Sequence, residues 1–171
     1  MSLRFTPLTA EDARAILAWR YPPPYDVYNA PDPLDGTLGD TLREMLDPLS
    51  PHFAVREEEG AAPIAFFAYG SVCEVEDVAP GPYLLRPDGS LSVGLGLRPE
   101  LTGQGRGLAL VEAGLAFART HYQPRLFRLY VFAWNARAIR VYERAGFAAV
   151  GETRIPAPTG ERVFIEMTRQ P

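Results

Sequence analysis

The sequence predicts a single domain over residues 1–171, in the mixed α/β class, with a central sheet of about seven strands flanked by about four helices. The first observation behind this is the order of the segments: strand, two helices, three strands, helix, strand, helix and two strands. The second is length and composition. With 171 residues, 47% of them hydrophobic and 22% charged, the chain can bury one core and resembles an ordinary globular protein.

Hydrophobic periodicity and the turn residues between apolar segments set the bounds of each element. Thr9 with Asp12 is typical of a helix cap, so the first helix is predicted to begin at residue 10. Prolines at 22–24, 31 and 33 exclude helix and central strand from the loop that follows. From the amino terminus, the predicted elements are a strand over 3–8, helices over 10–20 and 37–46, strands over 52–58, 63–75 and 91–97, a helix over 105–120, a strand over 125–135, a helix between Asn135 and Gly146, and strands over 147–155 and 161–169.

Two of the strands carry a further prediction. Residues 125–135, RLFRLYVFAWN, form a nearly continuous apolar run, which is typical of a strand buried on both faces. The final strand, which contains RVFIEMTR, is predicted to lie at an exposed edge of the sheet. The oligomeric state stays open, and a homodimer is one of the alternatives.

Charge and composition exclude several classes of function. The net charge is −4 and the pI about 5.2, so nucleic acid is not expected as a partner and a basic amine is the better electrostatic match. All 17 basic residues are arginine, which excludes the usual Walker phosphate loop and the usual Schiff-base enzymes because both need lysine. His52, His121 and the single Cys73 are too few for the usual zinc sites, so no metal is expected.

Nothing in the sequence predicts contact with a membrane. No apolar run reaches the roughly 18 residues that a membrane-spanning helix requires. The first residues, MSLRFTPLTAEDAR, lack the apolar segment of a secretory signal peptide. We therefore expect a cytoplasmic protein.

The stretch GLRPELTGQGRGLALV places Gly103, Gly105 and Gly107 at alternate positions directly before a helix. In the preceding strand, Gly94 and Gly96 share one face, which is therefore predicted to be bare enough to admit a ligand. Unpaired N–H groups and a partial positive charge at a helix amino terminus bind phosphate, and glycines keep side chains out of the way. The pattern favours a pyrophosphate bound by backbone, and the alternative is a tight turn with close packing.

The helix NARAIRVYERAG places Asn135 and Tyr142 seven residues apart, so both side chains face one way. Two polar side chains on one helix face can belong to a binding or catalytic site. The alternatives are that Asn135 only caps the helix and that Tyr142 is a half-buried packing residue.

These two stretches resemble the GNAT family of N-acetyltransferases. The family's turn, Gln/Arg-x-x-Gly-x-Gly/Ala, is matched by Gly105 and Gly107, with Leu97 and Pro99 in the places of its preceding Val-x-Pro; Thr102 stands where the family usually has Gln or Arg. The second motif, Asn-x-x-Ala-x-x-x-Tyr-x-x-x-Gly-Phe, is matched by Asn135, Ala138, Tyr142, Gly146 and Phe147. The resemblance covers roughly residues 53–168 and implies a mixed, mostly antiparallel sheet.

The resemblance implies an acetyl-CoA-dependent N-acetyltransferase in which an amine attacks the thioester directly. The resemblance implies that the pantetheine arm of acetyl-CoA lies along Leu95, Gly96 and Leu97. The pyrophosphate of acetyl-CoA would bind to the N–H groups of Gly103, Gln104, Gly105, Arg106, Gly107 and Leu108. Asn135 would contact the cofactor arm, and Tyr142 would protonate the leaving thiolate. A backbone N–H after Gly94 would bind the carbonyl oxygen.

The general base is left unassigned, because the two central strands hold no carboxylate. Glu74, Glu76, Asp77 and Asp26 are candidates, and a water chain is the alternative. The missing base also leaves open a non-catalytic module of the same fold that only binds acyl-CoA.

The acceptor site is predicted at the loop over residues 21–29, where Tyr25, Asp26 and Tyr28 follow three prolines. The loop lies outside both cofactor motifs, so it is expected to influence the acceptor and not the donor. A loop packed by its own tyrosines is the alternative. The acceptor is expected to be a small-molecule amine in preference to a protein amino terminus.

Overall fold

The structure is a computed structural model that describes residues 3–30, 37–76, 80–158 and 160–171. The predicted order of strands and helices is confirmed. The strands are β1 (Arg4–Pro7), β2 (His52–Arg56), β3 (Ala65–Tyr69), β4 (Ser90–Leu97), β5 (Leu126–Phe132), β6 (Ala148–Ala157) and β7 (Gly160–Arg169), and the helices are α1 (Ala10–Leu17), α2 (Leu38–Met45), α3 (Gly107–Tyr122) and α4 (Ala136–Arg144). Short 3₁₀ helices occupy Tyr25–Tyr28, Ser71–Cys73 and Pro99–Leu101.

The seven strands form one sheet in the order β1-β2-β3-β4-β5-β7-β6. Every neighbouring pair is antiparallel except β4 and β5, which confirms the mixed, mostly antiparallel sheet. The prediction that the final strand lies at an edge is wrong, because β7 is inserted between β5 and β6. Its partly buried Ile165 and fully buried Met167 pair with Val131 and Leu129 of β5, and the largely exposed β6 takes the edge.

β4 and β5 lie side by side only at their amino-terminal ends. The registered pairs are Ser90 with Leu126, Leu91 with Phe127, and Ser92 with Arg128. No pair follows among the described residues, although β4 continues along β3 to Leu97 and β5 continues along β7 to Phe132. The strands therefore part after Ser92, and we call the space between their carboxyl-terminal halves the β4–β5 cleft.

Helices cover both faces of the sheet. Neighbouring residues of a strand point to opposite faces, and Phe67 packs on Gly114 of α3 while Phe66 packs with the cluster of α1 and α2. The α3 face holds the larger core, in which Leu91, Leu115 and Phe127 are at most 1% exposed. The β4–β5 cleft therefore lies between two helical layers.

Most predicted bounds differ from the structure by one or more residues, and three of the differences concern the ends of α1 and β3 and the start of α3. Thr9 and Asp12 form the predicted capping box, but α1 ends at Leu17 and not at residue 20. The predicted strand over 63–75 ends at Tyr69, because Gly70 has a φ of 91° and turns the chain into the 3₁₀ helix at Ser71–Cys73. α3 begins two residues later than predicted, at Gly107.

The prediction that β5 is buried on both faces is wrong. Burial alternates along the strand: Phe127, Leu129 and Val131 are buried, whereas Arg128 and Tyr130 are only partly buried. The second face is polar: Arg128 pairs with Glu166 of β7, and the Tyr130 hydroxyl accepts a hydrogen bond from Arg86.

Candidate active site

The glycine turn lies where the β4–β5 cleft meets α3. Gly103 and Gly105 both have a φ of 75°, in the left-handed region, and open space surrounds the position of a Cβ atom at each. Within the described part of the chain, the backbone N–H groups of residues 103–108 donate no hydrogen bond to another protein group. No side chain caps α3. The turn therefore presents a row of unpaired N–H groups at the positive end of a helix.

Gly107 serves packing. A Cβ atom there would lie 3.2 Å from Cγ2 of Val141, so this glycine lets α3 approach α4 closely. The close-packing alternative thus holds for Gly107, and the open backbone holds for Gly103 and Gly105.

The side chains of the turn hold the turn itself. Oγ1 of Thr102 donates to the Pro99 carbonyl at 2.7 Å, and Nε2 of Gln104 donates to the Glu100 carbonyl at 2.7 Å. Thr102 therefore keeps a structural role at the position where the family usually has Gln or Arg. Arg106 forms an ion pair with Glu57 of the β2–β3 turn, at 2.8 Å.

The Asn135 side chain is buried and uses both ends of its amide. Oδ1 accepts from the N–H of Ala138 at 3.1 Å, which caps α4 as the alternative interpretation predicts. Nδ2 donates to the hydroxyl of Tyr28 at 2.9 Å. Asn135 is therefore a helix cap and also a contact of the predicted acceptor loop.

Tyr142 lies about two turns after Asn135 on α4. Its ring is edge-on to Phe147. Burial raises the pKa of its phenol above the usual 10, and the neighbouring Tyr28 raises it further. A phenol with a raised pKa is neutral at physiological pH and can donate a proton or a hydrogen bond. The structure thus brings Asn135, Tyr142 and Tyr28 together at the carboxyl end of β5.

The glycine face of β4 is not bare, and this prediction is wrong. A Cβ atom on Gly96 would lie 2.3 Å from the Phe66 ring, and one on Gly94 would lie 3.1 Å from Sγ of Cys73. These two side chains fill the space that the glycines leave. The glycines on β4 are therefore explained by the packing of Phe66 and Cys73 against the strand.

The loop over residues 21–29 is closed by its own side chains. Asn29 Oδ1 accepts from the Tyr21 N–H at 2.7 Å, and Asn29 Nδ2 donates to the Tyr21 carbonyl at 3.2 Å. The Tyr21 hydroxyl donates to the carbonyl of Leu97 at 2.8 Å. Through Tyr21 and Tyr28 the loop contacts Leu97 and Asn135, which belong to the two cofactor motifs. The expectation that the loop influences the acceptor and not the donor stays a prediction.

Aromatic rings join this loop to the end of β5. The Tyr28 ring packs against Phe132 and Trp134, with centroids 5.6 and 6.2 Å apart, and Tyr25 packs against Trp134 at 5.7 Å. The Arg137 guanidinium lies 3.9 Å above the Tyr25 ring. Sequence reasoning missed Phe132 and Trp134, although two aromatic residues directly before Asn135 offered a signal.

A buried polar network crosses the base of the β4–β5 cleft. Glu74 binds Arg86 through two hydrogen bonds and accepts another from the Ser92 hydroxyl on β4, while Arg86 also donates to the Tyr130 hydroxyl on β5 at 2.6 Å. Burial alone would raise the pKa of Glu74, but the bonds from Arg86 and Ser92 and the charge of Arg86 outweigh it and lower the pKa. Sequence reasoning missed Arg86, Ser92 and Tyr130 as members of one network.

An open cavity of about 510 Å³ lies beside this network, on the side of α2. Glu44, Glu74 and Glu76 line it, so its wall is acidic. Of the candidate bases, Glu76 and Asp26 are exposed, while the Glu74 carboxylate is committed to Arg86 and only 4% exposed. Asp77 lies outside the described residues.

Two kinds of feature are absent from the part of the chain that the structure describes. No group of three or more His, Cys, Asp or Glu side chains is arranged to hold a metal ion. No helix in that part of the chain has both the length and the apolar character that crossing a membrane requires.

The profile of the Acetyltransferase (GNAT) family matches residues 11–147, which is most of the chain. The chain belongs to the acetyltransferase (GNAT) family. The matched span of this GNAT chain contains the glycine turn, the β4–β5 cleft, Asn135 and Tyr142.

Among curated GNAT relatives, the chain is similar to two mycothiol acetyltransferases. It is 42% identical over 65 residues to that of Propionibacterium freudenreichii subsp. shermanii, covering 38% of this chain and 20% of the relative. It is 47% identical over 53 residues to that of Acidothermus cellulolyticus, covering 31% of this chain and 16% of the relative. The chain thus spans about a fifth or less of the length of these relatives.

Solved structures share the fold over nearly the whole chain. Spermidine N-acetyltransferase from Vibrio cholerae, in complex with CoA and spermine, has a TM-score of 0.73 at 17% identity and covers 98% of this chain and 95% of its own. Aminoglycoside N(6′)acetyltransferase from Legionella pneumophila has a TM-score of 0.67 at 19% identity, and the match covers 99% of this chain and 94% of the other. These likenesses establish the GNAT fold.

Proposed function

We propose that this chain is an acetyl-CoA-dependent N-acetyltransferase that acetylates a primary amine. The observation that carries the proposal is the row of unpaired N–H groups over residues 103–108 at the start of α3, beside the β4–β5 cleft. Such a row suits a pyrophosphate. In this proposal the pyrophosphate of acetyl-CoA binds to Gly103, Gln104, Gly105, Arg106, Gly107 and Leu108, and the pantetheine arm extends along Leu95, Gly96 and Leu97 toward Asn135.

The residues of the cleft are suited to each part of direct transfer. The acceptor nitrogen attacks the thioester carbonyl carbon, the carbon–sulfur bond breaks, and the sulfur departs as a thiolate. A β4 N–H after Gly94 binds the carbonyl oxygen. Tyr142, neutral because its pKa is raised, gives its proton to the thiolate. The amine proton passes to an exposed carboxylate such as Glu76, or to water.

We further propose that the acceptor is a small-molecule amine. In this proposal the chain acts as a single-domain protein in the cytoplasm. Two observations support a cationic acceptor. The cavity beside the cleft is lined by the exposed Glu44 and Glu76, and carboxylates attract ammonium groups. The similar solved structures include one bound to spermine and one described as acting on aminoglycosides.

The test is thiol release from acetyl-CoA across a panel of amines: polyamines, aminoglycosides, amino acids, amino sugars and peptides with a free amino terminus. We expect release of free CoA with at least one small amine and none without an acceptor. Tight binding of acetyl-CoA with no release across the panel would instead identify a module that binds acyl-CoA without catalysis. Absence of acetyl-CoA binding would overturn the proposal.

A further inference from the structure

Tyr28 belongs to the predicted acceptor loop, yet its hydroxyl reaches the second cofactor motif. The residue is 107 positions before Asn135 in the chain, and its Oη lies 2.9 Å from Nδ2 of Asn135. Its ring packs against Phe132 and Trp134 at the end of β5. The contact therefore joins the acceptor side of the cleft to the start of α4.

This hydrogen bond completes the fixation of the Asn135 amide. Oδ1 is held by the Ala138 N–H, and one of the two hydrogens on Nδ2 is held by Tyr28. An amide fixed at both ends cannot rotate about its χ2 angle without breaking a bond. The second Nδ2 hydrogen then has a fixed direction.

The Tyr28 hydroxyl keeps its own hydrogen for another partner. Because Oη accepts from Asn135, the phenolic O–H is a donor, and none of the hydrogen bonds among the described residues uses it. Burial raises the pKa of this phenol, so the hydrogen is present at physiological pH. The same phenol is close enough to Tyr142 to raise the pKa of that residue.

We propose that Tyr28 is a positioning residue that orients the Asn135 amide for acetyl-CoA and so couples the acceptor loop to donor binding. This inference rests on the proposed function, because it takes Asn135 as a contact of the donor. Tyr28 acts through Asn135, since its own bond is to that amide. Donor affinity then depends on a residue of the loop, although the loop belongs to neither cofactor motif.

The experiment compares Tyr28→Phe with Tyr25→Phe by calorimetric titration with acetyl-CoA. Each variant removes one hydroxyl from the same loop, and within the described residues the Tyr25 hydroxyl makes no hydrogen bond, so Tyr25→Phe is the matched control. We expect Tyr28→Phe to weaken acetyl-CoA binding by about three- to tenfold, the usual effect of one hydrogen bond. The control should stay within about twofold of the wild type.

A second pair of variants separates positioning from a general structural effect. Asn135→Ser keeps an oxygen that can cap α4 but lacks the amide donor. If Tyr28 acts through Asn135, Tyr28→Phe should change acetyl-CoA affinity by less than about twofold in the Asn135→Ser background. An undiminished effect in that background would overturn the proposal.

The titration also keeps this inference separable from the proposed function. Wild-type binding with equal affinities for Tyr28→Phe and Tyr25→Phe would overturn the role of Tyr28 and leave the proposed function standing. A wild-type protein that binds no acetyl-CoA would overturn both. Melting temperatures of the two variants within about 2 °C of each other would show that the comparison is between folded proteins.

Discussion

The hydroxyl of Tyr21 donates a hydrogen bond to the carbonyl of Leu97 across 2.8 Å of space and 76 positions of sequence. Leu97 is the last residue of β4, and its carbonyl lies where that strand has parted from β5. The bond ties the start of the acceptor loop to the strand that carries the glycine turn. This phenol, together with that of Tyr28 on Asn135, positions the loop relative to the candidate donor site.

We expect Tyr21→Phe to raise the KM of the acceptor about three- to tenfold, because the loop loses the hydrogen bond that holds it to β4. Acetyl-CoA affinity should stay within about threefold, since a carbonyl oxygen has a second lone pair for a ligand. Steady-state kinetics with the amine identified in the thiol-release screen measures both. Tyr122→Phe, which removes a phenol that packs on Tyr69, is the control, and an unchanged acceptor KM for Tyr21→Phe would count against this role.

Gly105→Ala tests the glycine turn, and Gly60→Ala supplies a matched control. Both glycines have a φ of 75°, and both have nothing within 4 Å of a Cβ position. The two alanine variants should therefore lose a similar amount of stability, about 1 kcal/mol from the left-handed backbone. We expect only Gly105→Ala to weaken acetyl-CoA binding, by at least about tenfold, because the added methyl group lies beside the unpaired N–H groups.

The readouts are thermal unfolding and calorimetric titration of both variants. Equal acetyl-CoA affinity in the Gly105→Ala and Gly60→Ala proteins would mean that the turn does not contact the donor.

Tyr142→Phe tests the general acid. We expect kcat to fall roughly tenfold to a few hundredfold, the lower part of the range for a positioned acid, because a thiolate is already a fair leaving group. Acetyl-CoA affinity should remain within about threefold. The control is Tyr122→Phe, which removes a phenol whose ring packs on Tyr69 in the α3 core.

The pH dependence follows from the raised pKa of Tyr142. Burial first, and Tyr28 second, raise this pKa above 10, so the phenol keeps its proton as the pH rises to 10. We therefore expect the kcat of the wild type and that of Tyr142→Phe to have the same pH dependence between about pH 7 and 9.5, because Tyr142 does not lose its proton in this range. Single-turnover rates that are equal for the two proteins would return Tyr142 to a packing role.

Asp12 and Arg56 form a buried ion pair that joins α1 to β2, with side chains 6% and 14% exposed. Burial alone would raise the pKa of Asp12, but hydrogen bonds from Arg56 and Thr9 outweigh it and lower the pKa. A lowered folded pKa stabilises the protein above the unfolded value near 3.8, and this contribution is lost as the pH falls through the folded pKa.

Asp12→Ala should therefore lower the free energy of unfolding by about 3 kcal/mol at pH 7, because it leaves a buried guanidinium unpaired. The difference from the wild type should shrink as the pH falls from 3.8 toward the lowered folded pKa, because the unfolded chain binds a proton there that the folded carboxylate does not. Asp40→Ala is the control, since the exposed pair of Asp40 with Arg43 contributes at most about 0.5 kcal/mol. Urea unfolding at pH 7 and pH 3 measures both, and equal effects of the two variants would contradict the role of the buried pair.

The sequence by itself determined the order of the elements, the capped starts of α1 and α4, and the turn from β4 into α3. These features depend on residues close together in the chain: Thr9 with Asp12, Asn135 with Ala138, and the glycines at 103 and 105. Local propensity and capping act over three or four positions, so periodicity and turn chemistry were enough to predict them.

Only the tertiary structure decided which distant groups share the site. Phe66 fills the glycine face of β4, β7 inserts beside β5, Glu74 reaches Ser92, and Tyr28 reaches Asn135. The physical reason is that these contacts arise from packing and from the closure of long loops, for which neighbouring residues carry no periodic signal. The open backbone of the glycine turn was therefore readable in the sequence, whereas the contacts of the 21–29 loop with Leu97 and Asn135 became visible only once the chain was folded.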